Sequence, residues 1–278
     1  MLVVVGKNSF LAKKFCTFLI DKINYIAINH QDIHKINNLK GISAVINFAL
    51  HPEIITHEYS EKNDIDSQIL KILKYTDIHY TMISSRLVYG HNYQWNSNEN
   101  DPTSGINTYG VNKVIIEKSL LSIRSNNLLI LRVGSIMGPD ISDDLNRARL
   151  STFLLKQLIL NGSITLSISG TTKKDIISLN YFNICLLSLI KEKVTGIFNL
   201  GAGQSVTVRD ISEWLLEGYS NGYSMGQLND TSTYIENEYQ LNCERVSELL
   251  KVKFDIQELK AYCIRLGKLI YLDQIKRL

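Results

Sequence analysis

The sequence of 278 residues predicts an α/β fold, a doubly wound parallel sheet followed by a smaller C-terminal region. Two observations carry this. Short β-branched or apolar runs alternate with segments of helical spacing, the pattern of strands buried on both faces and joined by right-handed helical crossovers. The alternation loosens after about residue 139, so residues 1–139 read as one unit and 140–278 as a second, some of whose segments return to the first core.

Each element has a local reason. Leu2 to Val5, Tyr25 to Ile28, Ala44 to Phe48, Tyr80 to Ile83 and Leu128 to Leu131 are short apolar runs of strand length. Between them Phe10 to Ile20, Asp64 to Tyr75 and Val111 to Leu121 repeat apolar residues at helical spacing, and Asn107 or Thr108 is placed to cap the last of these. Beyond residue 139 a helix from Arg149 to Leu160, an Asn161-Gly162 turn and a strand over Ile164 to Ile168 are expected. Pro52, Pro102 and Pro139 fall in connections, where a missing backbone donor does little harm.

Composition narrows the functional classes. With 45% hydrophobic and 21% charged residues the chain can bury a sizeable core. A net charge of +3, both signs interspersed, offers no basic stripe for a phosphate backbone, so nucleic acid is not an expected partner. Met1 to Val5 lacks the features of a secretory leader, and no run approaches the ~18 to 20 apolar residues of a membrane span, so the expected location is the cytoplasm. Cys16, Cys185, Cys243 and Cys263 are widely spaced and read as buried thiols, not as a disulfide framework or zinc site. The six histidines form no ligand spacing; no metal is expected, and they read as loop or surface residues.

Strand Leu2 to Val5 runs into Gly6-Lys-Asn-Ser-Phe-Leu-Ala12 and then a helix. A strand, a tight turn and a helix N-terminus form an anion site, because unsatisfied amides and the helix dipole converge there. Gly6, Lys7, Ser9, Phe10 and Leu11 are therefore candidate cofactor-binding residues, with pyrophosphate as the natural guest. The dinucleotide fingerprint has three glycines; here Ser9 and Ala12 stand in for the second and third. A turn that binds nothing is the competing reading. The second strand ends Ile28-Asn29-His30 without the acid that holds the ribose of NAD, and Lys7 can face a 2′-phosphate, so NADPH is expected over NAD or NADH.

Tyr109 and Lys113 lie four apart on one helix face, where the pair can deliver a proton. Ser85 ends the strand from Tyr80, and a parallel sheet gathers its chemistry at strand carboxyl ends. Ser84-Ser85-Arg-Leu-Val-Tyr-Gly90, Glu99-Asn-Asp-Pro102 and Thr108-Tyr109-Gly-Val-Asn-Lys113 together resemble the extended short-chain dehydrogenase/reductase family of nucleotide-sugar epimerases, dehydratases and reductases. The resemblance continues through Ile46-Asn47-Phe48-Ala49, Asn63-Asp-Ile-Asp-Ser67, Leu131-Arg-Val-Gly-Ser135-Ile-Met-Gly-Pro139, Gly170-Thr-Thr-Lys-Lys174-Asp175 and Phe198-Asn-Leu-Gly-Ala-Gly203.

That resemblance implies a Rossmann-type fold whose C-terminal region binds substrate. It implies catalytic roles for Ser85, Tyr109 and Lys113, and places Asn47 and Ala49, with Tyr109 and Lys113, beside the cofactor. A phenol titrates near ~10, so proton transfer at neutral pH needs a cation close by, which Lys113 and the nicotinamide would supply. Ser85 would bond the substrate oxygen. Substrate contacts are expected from Ser135, which replaces the family's usual asparagine, and from Arg149, Lys174 and Arg209 toward a nucleotide diphosphate; an ion pair from Lys174 to Asp175 is an equal reading. Trp95, expected in the loop between Ser85 and Tyr109, could flank the sugar or serve packing.

The family's 4,6-dehydratases carry Asp-Glu directly after the catalytic residue. Here Arg86-Leu87 stands there, which argues against dehydration, and Arg86 and Asp140-Ile141 replace the cysteine and histidine of the dual epimerase-reductases. The favoured expectation is NADPH-dependent reduction of a nucleotide-linked 4-keto-6-deoxy sugar, as in dTDP-4-dehydrorhamnose reductase-like enzymes. An NAD-dependent nucleotide-sugar 4-epimerase and a non-catalytic cofactor-binding regulator are the alternatives. A homodimer is common in the family.

Overall fold

The computed structural model describes residues 1–92, 94–123, 126–139, 150–220 and 226–275. In the N-terminal half β1 (Leu2–Val5), α1 (Phe10–Leu19), β2 (Tyr25–Ile28), β3 (Ala44–Asn47), α2 (Glu53–Thr56), α3 (Ile65–Leu73), β4 (His79–Ser85), β5 (Trp95–Ser97), α4 (Thr108–Ile123), β6 (Leu128–Val133) and β7 (Ser135–Met137) follow in order. Then come α5 (Leu150–Asn161), β8 (Ile164–Thr165), β9 (Lys173–Lys174), β10 (Ile176–Ser178), α6 (Leu179–Lys191), β11 (Gly196–Leu200), β12 (Val206–Thr207), α7 (Val208–Tyr219), β13 (Leu228–Asn229), β14 (Gln240–Leu241), α8 (Glu244–Leu250) and α9 (Ile256–Ile275).

Six strands form one parallel sheet in the order β11-β6-β4-β3-β1-β2. The expected Rossmann-type, doubly wound sheet is present. The order reverses between β1 and β3, and a crevice opens outside the strand carboxyl ends at such a reversal. β11 comes late in the chain and pairs in parallel with β6.

Burial of both sheet faces explains the unbroken apolar strands. Leu2 and Val4 of β1 enter one hydrophobic cluster while Val3 and Val5 enter another, as the two-residue period of a strand requires. A surface strand would have alternated. Helix α4 begins as expected: the Asn107 side chain accepts from the Gly110 amide at 2.9 Å.

Three expectations need correction. His79 is not a surface or loop residue; it opens β4, is fully buried, and its Nε2 lies 2.7 Å from the Val194 carbonyl. The strand expected over Ile164 to Ile168 keeps strand pairing only at Ile164–Thr165, against β13. Trp95 lies on the short strand β5, 53% exposed. Of the cysteines, Cys185, Cys243 and Cys263 are buried free thiols and Cys16 is half-buried. Among the described residues no helix is long and apolar enough to cross a membrane.

Candidate active site

The turn after β1 is built by close approach. Gly6 has φ +89°, and a Cβ there would lie 2.6 Å from the Ala49 nitrogen, so the loop rests directly on the end of β3. The Asn47 side chain locks that end: its oxygen accepts from the Ala49 amide at 2.8 Å and its nitrogen donates to Asp66 at 2.9 Å. Ser9 caps α1, accepting from Ala12 at 3.2 Å, a structural task beyond standing in for a glycine. Phe10 and Leu11 supply the first amides of α1, which the helix itself leaves without acceptors. These donors and the exposed Lys7 fit a pyrophosphate.

At the other side of the crevice, Ser85 ends β4 and its Oγ accepts from the Leu87 amide at 3.2 Å. That bond fixes the oxygen and leaves its proton for a ligand. The first turn of α4 seats on the same segment because position 110 is glycine: a Cβ there would meet the Leu87 carbonyl at 2.2 Å. Tyr109 is thereby carried to the wall that holds Ser85. Both residues, with Phe10, Leu11, Ser135 and Lys174, line one cavity of about 700 Å³.

Lys113 stands behind this wall. Buried, it donates to the Ile83 carbonyl at 3.0 Å and lies 3.5 Å from Asp66 Oδ2. Burial opposes its charge, but the Asp66 carboxylate, with Tyr109 and Asp64 adding to it, holds its pKa above the ordinary lysine range. Lys113 is therefore a fixed cation in the field of Tyr109. The Asn63-Asp-Ile-Asp-Ser67 motif marked a helix start, and Asp64 does cap α3; the partnership of Asp66 with Asn47, Tyr80 and Lys113 comes from three other elements and has no local signal.

A second buried network anchors α4 to the sheet. Arg132 of β6 donates to Glu117 of α4 at 2.8 Å, to the Tyr89 hydroxyl at 3.2 Å and to the Glu99 carbonyl at 3.1 Å, while Ser84 donates to Glu117. Every charged group in it has a partner, the condition under which buried charge is tolerated.

The substrate-side expectations divide. Ser135 lines the cavity, its amide donating to the Tyr239 hydroxyl at 3.0 Å; that hydroxyl also contacts Ser135 Oγ and the Asp175 carbonyl. Lys174 lines it too, but its amino group donates to the carbonyls of Glu236 and Asn237 at 2.7 and 2.9 Å, not to Asp175. The Asp175 carboxylate instead accepts from the amides of Ala202, Gly203 and Leu241, and burial pushes it up to about 6 despite those donors. Arg209 is exposed, paired with Asp230 at 2.6 Å, and does not line the cavity. Arg149 and Asp140-Ile141 lie outside the described residues. Tyr239 and Arg86 are cavity residues that no motif singled out for ligand contact; Tyr239 arrives on a segment distant in sequence.

Neither a family model nor a curated protein sequence matches the chain. Solved structures do match. A UDP-N-acetylglucosamine 4-epimerase from Methanobrevibacter ruminantium, in complex with UDP-N-acetylmuramic acid, superposes with a TM-score of 0.77 at 18% identity over 98% of each chain. TunA, an NAD-dependent NDP-hexosamine 5,6-dehydratase of tunicamycin biosynthesis, gives 0.76 at 15% identity over 98% of this chain and 97% of its own. A UDP-glucuronic acid 4-epimerase from Bacillus cereus, in complex with UDP-glucuronic acid and NAD, gives 0.72 at 18% identity over 99% of each. This chain shares their fold. The likeness runs end to end, so the C-terminal half has the same architecture as well.

Proposed function

We propose that the protein is an NAD(P)-dependent enzyme of the extended short-chain dehydrogenase/reductase family acting on a nucleotide-diphosphate sugar, and that its reaction is 4-epimerisation. The observation that carries the reading is the single cavity onto which the α1 N-terminus, Ser85 and Tyr109 all open, with the Lys113 cation fixed behind them. Two of the similar structures are sugar 4-epimerases. When bound, the dinucleotide would take and return a hydride at the sugar carbon.

The chain's own residues manage the proton. Gly6 to Leu11 would seat the pyrophosphate, with Asn47 and Ala49 shaping the adjacent wall. Ser85 keeps a free hydroxyl proton to donate to the reacting sugar oxygen, since its acceptor side is held by Leu87. Tyr109 passes a proton to or from that oxygen, with the Lys113 ammonium fixed behind it. Arg86 and Leu87 provide no carboxyl group for elimination of water.

Reduction of a nucleotide-linked 4-keto-6-deoxy sugar with NADPH is the second reading. It is favoured by exposed Lys7 in the phosphate turn and by Asn29, which follows β2 where an acid would select NAD; the Asn8 side chain donates to the Asn29 oxygen at 3.2 Å. One experiment separates them. Proton NMR of UDP-hexoses incubated with the protein and substoichiometric NAD should show C4 epimers accumulating without net change in the nicotinamide. Consumption of NADPH in step with a 4-keto sugar, with no epimerisation, would replace the first reading by the second.

A further inference from the structure

Arg86 occupies an unusual electrostatic position. It follows Ser85 directly and lines the same cavity. Its guanidinium carbon lies 3.5 Å from the centroid of the buried Tyr239 ring, and Nη1 donates to Gln94 Oε1 at 2.8 Å. Stacking and one hydrogen bond hold the group in place, yet among the described residues it has no ion-pair partner. The Asp175 carboxylate, which senses the Arg86 charge, is committed to three backbone amides.

Lys174 shares this wall. Two backbone carbonyls hold its amino group, and likewise no carboxylate lies within ion-pair distance among the described residues. Glu236 and Glu238 are the acids in its field and Arg86 the cation; burial first, then Arg86, push it down to about 8. Two preorganised cations close enough to disfavour each other, facing a cavity, are a cost in the free protein that an anion would relieve.

We propose that Arg86 and Lys174 form an oxyanion subsite beside Ser85 that grips an acidic group of the substrate, through the bidentate geometry of the guanidinium and the point charge of the ammonium. This rests on the nucleotide-sugar reading. The same chemistry serves two sources, a carboxylate on the hexose ring or the phosphoryl group that joins the hexose to its nucleotide. Arg86 thus stands in the place where elimination would need an acid, and it selects among nucleotide sugars only where the anion is the ring carboxylate.

Calorimetric titration of the NAD-loaded full chain with UDP-glucose, UDP-glucuronic acid and UDP tests it. Arg86→Gln should weaken binding by roughly 10- to 100-fold, the value of a hydrogen-bonded charge. A loss confined to UDP-glucuronic acid supports the ring carboxylate as the anion; an equal loss for all three supports the phosphoryl group. Lys174→Gln should show the same ligand pattern, and unchanged NAD affinity in both variants certifies the fold. Wild-type affinity for every ligand in Arg86→Gln overturns the subsite. Absence of binding by the wild-type protein, with NAD still bound, overturns the nucleotide-sugar reading beneath it.

Discussion

Asp66 Oδ2 and Lys113 Nζ lie 3.5 Å apart, with side chains 5% and 4% exposed, and the aspartate also takes bonds from Asn47 and Tyr80. One carboxylate thus ties together α3, α4, β3 and β4 behind the cavity. Asp66→Ala would strand the Lys113 charge in the interior. The expected cost is about 3–5 kcal/mol in urea unfolding, the penalty for removing one member of a buried pair. Unchanged stability would mean that Lys113 is compensated elsewhere.

Tyr109→Phe removes one oxygen from the cavity wall and leaves the turn after β1 untouched. Turnover should fall by about 10²- to 10⁴-fold, the range for a lost general acid-base, while dinucleotide binding persists. Parallel measurement of product formation and nucleotide fluorescence checks both halves. Retained turnover would assign the proton to another group.

Gly6→Ala should weaken dinucleotide binding and lower stability by about 1–3 kcal/mol, since the added methyl meets the Ala49 backbone and φ is +89°. Gly41→Ala is the control: φ is +70° but nothing lies within 4 Å of its Cβ, so it pays for conformation alone. A thermal melt of each isolates the clash. Equal losses would show that Ala49 yields readily.

Lys174 titrates at about 8, so its charge is present below that value and fades above it. Substrate affinity should decline as pH rises through about 8, with proton uptake on binding, and Lys174→Met should flatten that dependence. The stability sign is opposite. A lysine depressed by burial burdens the fold while charged, and stability rises with pH from about 8 toward the ordinary lysine range.

The fold was legible wherever one segment carried its own reason. Leu2–Val5 has the bounds its apolar run predicts, because a strand buried on both faces writes its burial continuously, and Tyr25–Ile28, half-buried at the sheet edge, keeps its expected bounds too. Ser85 and Tyr109 line one cavity, one from a strand end and the other from a helix start, both of which are set locally. What escaped depends on partners far apart in sequence. Tyr239 reaches Ser135 across the chain, Asp66 meets Lys113 from another helix, and Val194 draws His79 inside. Arg209 is a candidate diphosphate ligand by its location in the C-terminal region, yet Asp230 occupies it at 2.6 Å, and only the fold brings those two together.

The most direct measurement of the central claim is a fluorescence titration of the purified protein with NADH and NADPH, repeated on Tyr109→Phe and Gly6→Ala. The account predicts saturable binding of at least one nucleotide by the wild-type protein, retained in Tyr109→Phe and weakened in Gly6→Ala. Binding of neither nucleotide by the wild-type protein would contradict a dinucleotide site at the turn after β1 and the chemistry built upon it.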